Sequence, residues 1–247
     1  MGAAFSITSV ISVFTNYSRG FKGVDGYADL PGTTGLSVSH LSSYEVGLSA
    51  DDATGRLHGL LTTYHSTQTG EVQVDPLGNL TNFGRTRRQG VEVEGRYRLA
   101  EASTGPTLFG NYSYVQPQLL NDAPDDGYVT NTPRYLATLG LDLPLLARSA
   151  SPSRLDLSIY DQLIGPKYLD QAGTLETSTY QRLAGKLLYT RTDWAGFRFY
   201  VQGTFYPGSG SLDEMTFRSG ANLLVAPQPK ATFRAGIKIP ISGFNAN

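Results

Sequence analysis

The chain has 247 residues, with 20 Lys plus Arg against 21 Asp plus Glu and a formal net charge of −1. That near-neutral balance argues against a nucleic-acid partner, which would call for clustered basic charge. The absence of Cys removes disulfides, thiolate metal sites and Cys nucleophiles together.

Met1 to Ser18 lacks the positive start and unbroken apolar centre of a signal peptide. The expectation is that a leader has been removed or that the chain is part of a longer product. From there the dominant signal is period two. Segments centre near Ser12, Val46, Leu61, Val93, Tyr112, Leu139, Leu157, Leu187, Val201, Ala221 and Ile237, about eleven in all by alternation and turn signals. In the fourth, Val91, Val93, Gly95, Tyr97 and Leu99 alternate with Glu92, Glu94, Arg96 and Arg98. Leu155, Leu157 and Ile159 alternate with Asp156, Ser158 and Tyr160, and Phe197, Phe199 and Val201 alternate with Arg198, Tyr200 and Gln202. Successive strand side chains point to opposite faces, so each segment has one apolar and one polar face.

Short and long connections alternate along the chain. Short turns fall at Asp51–Gly55, Glu101–Gly105, Asp193–Gly196 and Pro227–Lys230, with Ala147–Ser153 somewhat longer. Longer loops fall at Lys22–Leu41, Val74–Phe83, Gln118–Thr132, Gln171–Thr177 and Pro207–Asp213. A meander reverses at every connection, so short turns gather on one rim and long loops on the other. Transmembrane β-barrels have that asymmetry.

The longest apolar runs, such as Leu139 to Leu146, are broken by Gly140, Asp142 and Pro144, whereas a spanning helix needs about 20 apolar residues. Hydrocarbon tolerates only helices and closed sheets, and a spanning strand needs about 9–11 residues. The expected fold is therefore all-β: an antiparallel transmembrane β-barrel of about eleven to twelve strands. Residues 1–247 would form a single barrel domain or the C-terminal part of a larger one. A soluble sandwich would use the same alternation with its apolar face inward; the loop asymmetry favours the membrane version.

Four stretches carry a family resemblance. Val13–Gly23 (VFTNYSRGFKG), Ser43–Leu48 (SYEVGL), Asn82–Glu94 (NFGRTRRQGVEVE) and Thr130–Arg134 (TNTPR) resemble, in order and spacing, the barrel strands of TonB-dependent outer-membrane receptors. The resemblance covers residues 13 to about 140 and is loose beyond. It implies a bacterial outer-membrane location, long loops facing outside, and ligand uptake with ferric siderophores, cobalamin or glycans as substrates. It also implies an N-terminal plug and a 22-stranded barrel, neither recognisable here. A second chain supplying the plug and the remaining strands, other subunits of an outer-membrane complex, and outer-membrane lipid are the expected partners. The other reading is a scaffold barrel that transports nothing.

On this reading the strands beginning near Phe197 and Glu214 run outward and back, leaving Ala231–Ile241 as one strand beyond the family order. Loop residues Tyr27, His40, Asn79, Asp125 and Tyr128 are the candidate ligand contacts outside. The densest polar cluster is Arg85, Arg87, Arg88, Glu92, Glu94, Arg96 and Arg98. Its strand members Glu92, Glu94, Arg96 and Arg98, with Arg198, are candidates for a lumenal wall, where charge pairing on a wet surface is the simpler role. Arg182, Lys186, Arg218, Arg234 and Lys238 would extend that wall. Asp122, Asp125 and Asp126 group as Ca²⁺ ligands would, but without the EF-hand spacing. No cofactor, metal site or catalytic motif is indicated, and no enzyme activity is expected.

Overall fold

The computed structural model describes residues 1–23, 38–70, 72–74, 80–82, 84–100, 105–120, 127–146, 151–169, 172–194, 196–208, 212–219, 222–227 and 229–239. Among them no helix is long and apolar enough to cross a membrane. The strands are β1 (Gly2–Ser6), β2 (Ile11–Lys22), β3 (Ser39–Asp51), β4 (Leu57–Thr69), β5 (Val72–Val74), β6 (Leu80–Asn82), β7 (Arg85–Arg98), β8 (Thr107–Leu120), β9 (Tyr135–Leu146), β10 (Ser153–Ile164), β11 (Tyr180–Arg191), β12 (Phe197–Phe205), β13 (Leu212–Ser219), β14 (Asn222–Pro227) and β15 (Ala231–Lys238). Eleven of them form one antiparallel sheet in the order β1-β2-β3-β4-β7-β8-β9-β10-β11-β12-β15. The small β5–β6 and β13–β14 ribbons stand apart from it.

The meander sorts its connections as the sequence implies. The turns β1–β2, β3–β4, β7–β8, β9–β10 and β11–β12 are short and share one rim. The connections β2–β3, β4–β7, β8–β9, β10–β11 and β12–β15 are long and share the other.

Both ends of the sheet differ from the sequence reading. The return strand after β12 is β15, paired from Arg198↔Lys238 to Phe205↔Ala231, and not the segment beginning near Glu214. That segment is β13, which pairs only with β14 inside the long-rim connection. Pro227–Lys230 therefore belongs to the long-loop rim, and Ala231–Lys238 is the expected return strand rather than a surplus one. At the other end β1, absent from the sequence reading, pairs with β2 from Gly2↔Asn16 to Ser6↔Ser12.

The register separates two faces. One apolar row runs Val13–Leu48–Leu61–Val93–Tyr112–Ala137, and another Leu141–Ile159 and Leu143–Leu157–Leu187–Val201. A polar row on the opposite face runs Thr107–Asp142–Ser158–Lys186–Gln202–Arg234. The apolar side chains are not covered by protein: Val46 is 50% exposed, Val93 43%, Leu139 62% and Ile237 62%. An apolar surface on this scale is not left to water; lipid is the solvent that suits it. Most of the few buried side chains, among them Leu119, Val129, Ile164, Leu169 and Thr86, lie at the long-loop rim.

Candidate functional site

Two groups of candidate residues can be placed, one at the long-loop rim and one on the polar face. Tyr27, Asn79 and Asp125 lie outside the described residues, as do Asp122 and Asp126.

At the rim, the β8–β9 and β10–β11 connections fold onto each other as a continuation of the β9–β10 ladder. The Gly165 N–H donates to the Tyr135 carbonyl (2.8 Å), Arg134 N–H to Pro166 (3.1 Å) and Asn131 N–H to Tyr168 (2.8 Å). Asn131 takes a left-handed backbone, φ 58°, a conformation Asn tolerates better than most residues. Within the second connection, Leu169 N–H donates to the Leu175 carbonyl and Thr177 N–H to that of Lys167, both 2.9 Å. Val129 and Leu169, 2% and 3% exposed, pin this small unit.

On it the rings of Tyr128 and Tyr168 meet at 4.0 Å between centroids. The Arg134 guanidinium lies 4.9 Å from the Tyr168 centroid, donates to the Tyr168 hydroxyl and pairs with Glu176 at 2.9 Å. A Cβ on Gly173 would strike the Tyr128 ring, and with φ +67° that position favours glycine twice over. Burial holds the Tyr168 hydroxyl above its ordinary pKa, with the Arg134 charge opposing. The result is a part-exposed aromatic pair beside a cation at the long-loop rim, fixed by backbone pairing rather than left on a loose loop. Arg134, Tyr168 and Glu176 were not among the sequence candidates. The contact joins two connections distant in sequence, and only the TNTPR stretch hinted at one of them.

On the polar face, β7 carries Glu92, Glu94, Arg96 and Arg98 in successive rows, two acids and then two bases toward the short-turn rim. Glu92 accepts from the Ser113 hydroxyl at 3.4 Å, and one strand beyond β4 Glu45 accepts from Asn16 at 3.4 Å. Arg198 is not brought to this group. It sits on β12 at the short-turn end, between Thr190 and Lys238. Around it the polar face of β11, β12 and β15 carries Arg182, Lys186, Arg198, Arg234 and Lys238, with no acid among the described residues. Between the two sectors an open depression of about 340 Å³ lies over Phe109, with Asp142, Ser158, Lys186 and Gln202 at its edge. Arg218 lies on β13, away from the sheet.

Two residues grouped with the polar cluster belong to the other face. Arg85 and Arg87 share the parity of Val91 and Val93, opposite to Arg88 and Glu92. His40 is also on the apolar-face parity, paired with Phe21 and Thr69 at the long-loop rim. Among the described residues no group of three His, Asp or Glu could hold a metal.

Residues 1–213 match the sequence profile described as TonB dependent receptor-like, beta-barrel. A curated relative, the ferric-pyoverdine receptor PbuA of a Pseudomonas strain, is 28% identical over 152 residues, covering 58% of this chain and 18% of that protein. Among solved structures, the ferric yersiniabactin uptake receptor FyuA of Yersinia pestis superposes with a TM-score of 0.69 at 20% identity, over 96% of this chain and 35% of that one. The ferric preacinetobactin receptor BauA of Acinetobacter baumannii gives 0.64 at 20%, over 95% and 35%. The chain thus spans about a third of the length of these solved relatives and less of the curated one.

Proposed function

The chain belongs to the TonB-dependent receptor-like β-barrel family, and from that premise we propose that it forms part of the wall of a receptor that captures a ferric chelate outside the cell and admits it. Family membership sets it in the bacterial outer membrane, with the apolar face toward lipid, the polar face toward the lumen and the long loops outside.

The observation that carries the proposal is the rim cluster of Tyr128, Tyr168 and Arg134. Aromatic faces and a cation suit a planar, anionic, partly aromatic chelate, and the two connections present them already ordered, which lowers the entropy cost of capture. In the lumen Glu92, Glu94, Arg96, Arg98 and Arg198 would line the route or hold a plug, supplied by further residues of a longer polypeptide or by a second chain. No reaction is assigned to the chain; its relatives are named as receptors.

Binding of radioiron-labelled ferric pyoverdine and ferric citrate to cells expressing the full-length protein tests this. Tyr128→Ala and Tyr168→Ala are expected to weaken binding of one chelate by about tenfold or more, as loss of a buried aromatic anchor does, at unchanged surface level. Tyr128→Phe, which keeps the ring contact, should stay near wild type. Binding of neither chelate, or full binding by both alanine variants, would remove the proposal.

A further inference from the structure

The outward face should be apolar where it meets hydrocarbon, and over most of its height it is. At the long-loop end of β2, β3, β4 and β7 it changes character. Register places Arg19, Ser42, Thr67 and Arg87 in one row on that face, and Phe21, His40, Thr69 and Arg85 in the next. Among the described residues no Asp or Glu shares this face on these four strands.

The height of the patch follows from counting along each strand. Arg19 is eight residues from the short-turn end of β2 at Ile11, His40 eleven from Asp51, Arg87 eleven and Arg85 thirteen from Arg98. At about 3.4 Å per residue and a tilt near 40°, these positions stand about 20–35 Å above the short-turn rim, at the upper border of an apolar band about 25 Å tall. Just below lie Tyr17 and Tyr44, stacked at 4.6 Å, the kind of rings that mark the headgroup boundary. Arg19 lies 5.9 Å over Tyr17, Arg87 donates to Gln118, and neither Arg19 nor Arg85 has an ion-pair partner among the described residues.

We propose that this patch is a binding surface for a phosphorylated lipid headgroup of the outer leaflet, held by Arg19, Arg85 and Arg87 with His40 as a further donor. Arg19 and Arg87 are three strand spacings apart, about 14 Å. That width suits a disaccharide headgroup with a phosphate at either end. Arg is the side chain best matched to phosphate oxygens, and the patch stands at the height of the headgroup layer. The patch is on the opposite face from the lumenal wall and on other strands than those flanking the rim cluster, so it stands whether or not the uptake reading does.

The test is a titration of the purified full-length protein, in nonionic detergent, with bisphosphorylated lipid A, read by native mass spectrometry. The triple variant R19Q/R85Q/R87Q is expected to bind about tenfold or more weakly, as the loss of three cations near an anionic surface implies. The variant K186Q/R234Q, which removes cations from the lumenal face, should bind as wild type, and dephosphorylated lipid A should bind wild type as poorly as lipid A binds the triple variant. Excess inorganic phosphate should not displace the lipid. If the triple variant fails to fold, R19K/R85K/R87K replaces it and should bind with marked salt dependence. Unchanged binding by the triple variant, salt-independent binding by the lysine variant, equal loss in the lumenal control, no preference for phosphorylated lipid, or displacement by phosphate alone would each overturn the proposal.

Discussion

At the residue scale, the lumenal face keeps its wall flat by laying rings over glycines. Phe14 faces Gly47, Tyr64 faces Gly90, Phe109 faces Gly140 and Tyr200 faces Gly236, each a direct cross-strand pair on the polar face. A Cβ at Gly90 or Gly236 would come within 2.6 Å of the opposed tyrosine, and one at Gly140 would strike the Phe109 ring. Gly140→Ala should therefore cost about 1–3 kcal/mol as overpacking does. Phe109→Leu should recover part of that, giving a coupling of at least about 0.5 kcal/mol in a double-mutant cycle; additive losses in urea unfolding from bilayers would mean the ring does not lie there. On the other face, Leu157→Arg should cost about 2–4 kcal/mol near mid-bilayer, while Asp156→Asn stays mild. The reverse ranking, measured the same way, would invert the faces. Such parity was legible in the sequence, because a strand side chain has only two choices. Parity also separates Arg85 and Arg87 from Arg88, but reading by proximity grouped them, since charge density in a segment says nothing of facing. The glycine–ring pairs were not legible, as they need the register between strands.

At the scale of elements, the short turns are locked by their own side chains. The Asp52 carboxylate accepts from Arg56 N–H at 2.6 Å and Leu57 N–H at 2.9 Å and from the Thr54 hydroxyl. Those bonds, Thr54's foremost, hold its pKa below the usual carboxylate value of 3.8. A depressed folded pKa means the turn is fully supported above the ordinary value and loses that support as pH falls through the lower, folded one. The Arg56 and Leu57 amide resonances should shift together only in strongly acid solution, and Asp52→Asn should abolish the shift. A midpoint above 3.8 would contradict the lock. In the β11–β12 turn Asp193 is likewise held low, by Arg191, which also lies 4.4 Å over Trp194. These turns were visible from Gly and Asp placement. The β13–β14 ribbon was not told from a spanning strand, because Glu214 to Ala226 shows the same alternation. What decides is the pairing of β12 with β15, and pairing leaves no local mark in the sequence. The rim cluster was half visible: Tyr128 was a candidate, but its partner Tyr168 comes from another connection.

At the scale of the whole molecule, fold class, rim asymmetry and the division into faces all followed from period two and loop length. The end strands of the sheet, β1 and β15, are where hydrocarbon would require further pairing. The purified protein should stay dispersed only in detergent or lipid, because its apolar stripes are uncovered. All of this rests on lipid touching those stripes. The most direct measurement uses the absence of native Cys: nitroxide labels placed singly from Arg154 to Leu163 on β10 in outer-membrane vesicles, read by collision with oxygen and with a water-soluble nickel chelate. Strict alternation is expected, with oxygen access highest at Leu155, Leu157 and Ile159 and nickel access highest at Asp156, Ser158 and Tyr160. Alternation of the opposite phase, or oxygen excluded from Leu155, Leu157 and Ile159 as inside a water-surrounded core, would contradict it.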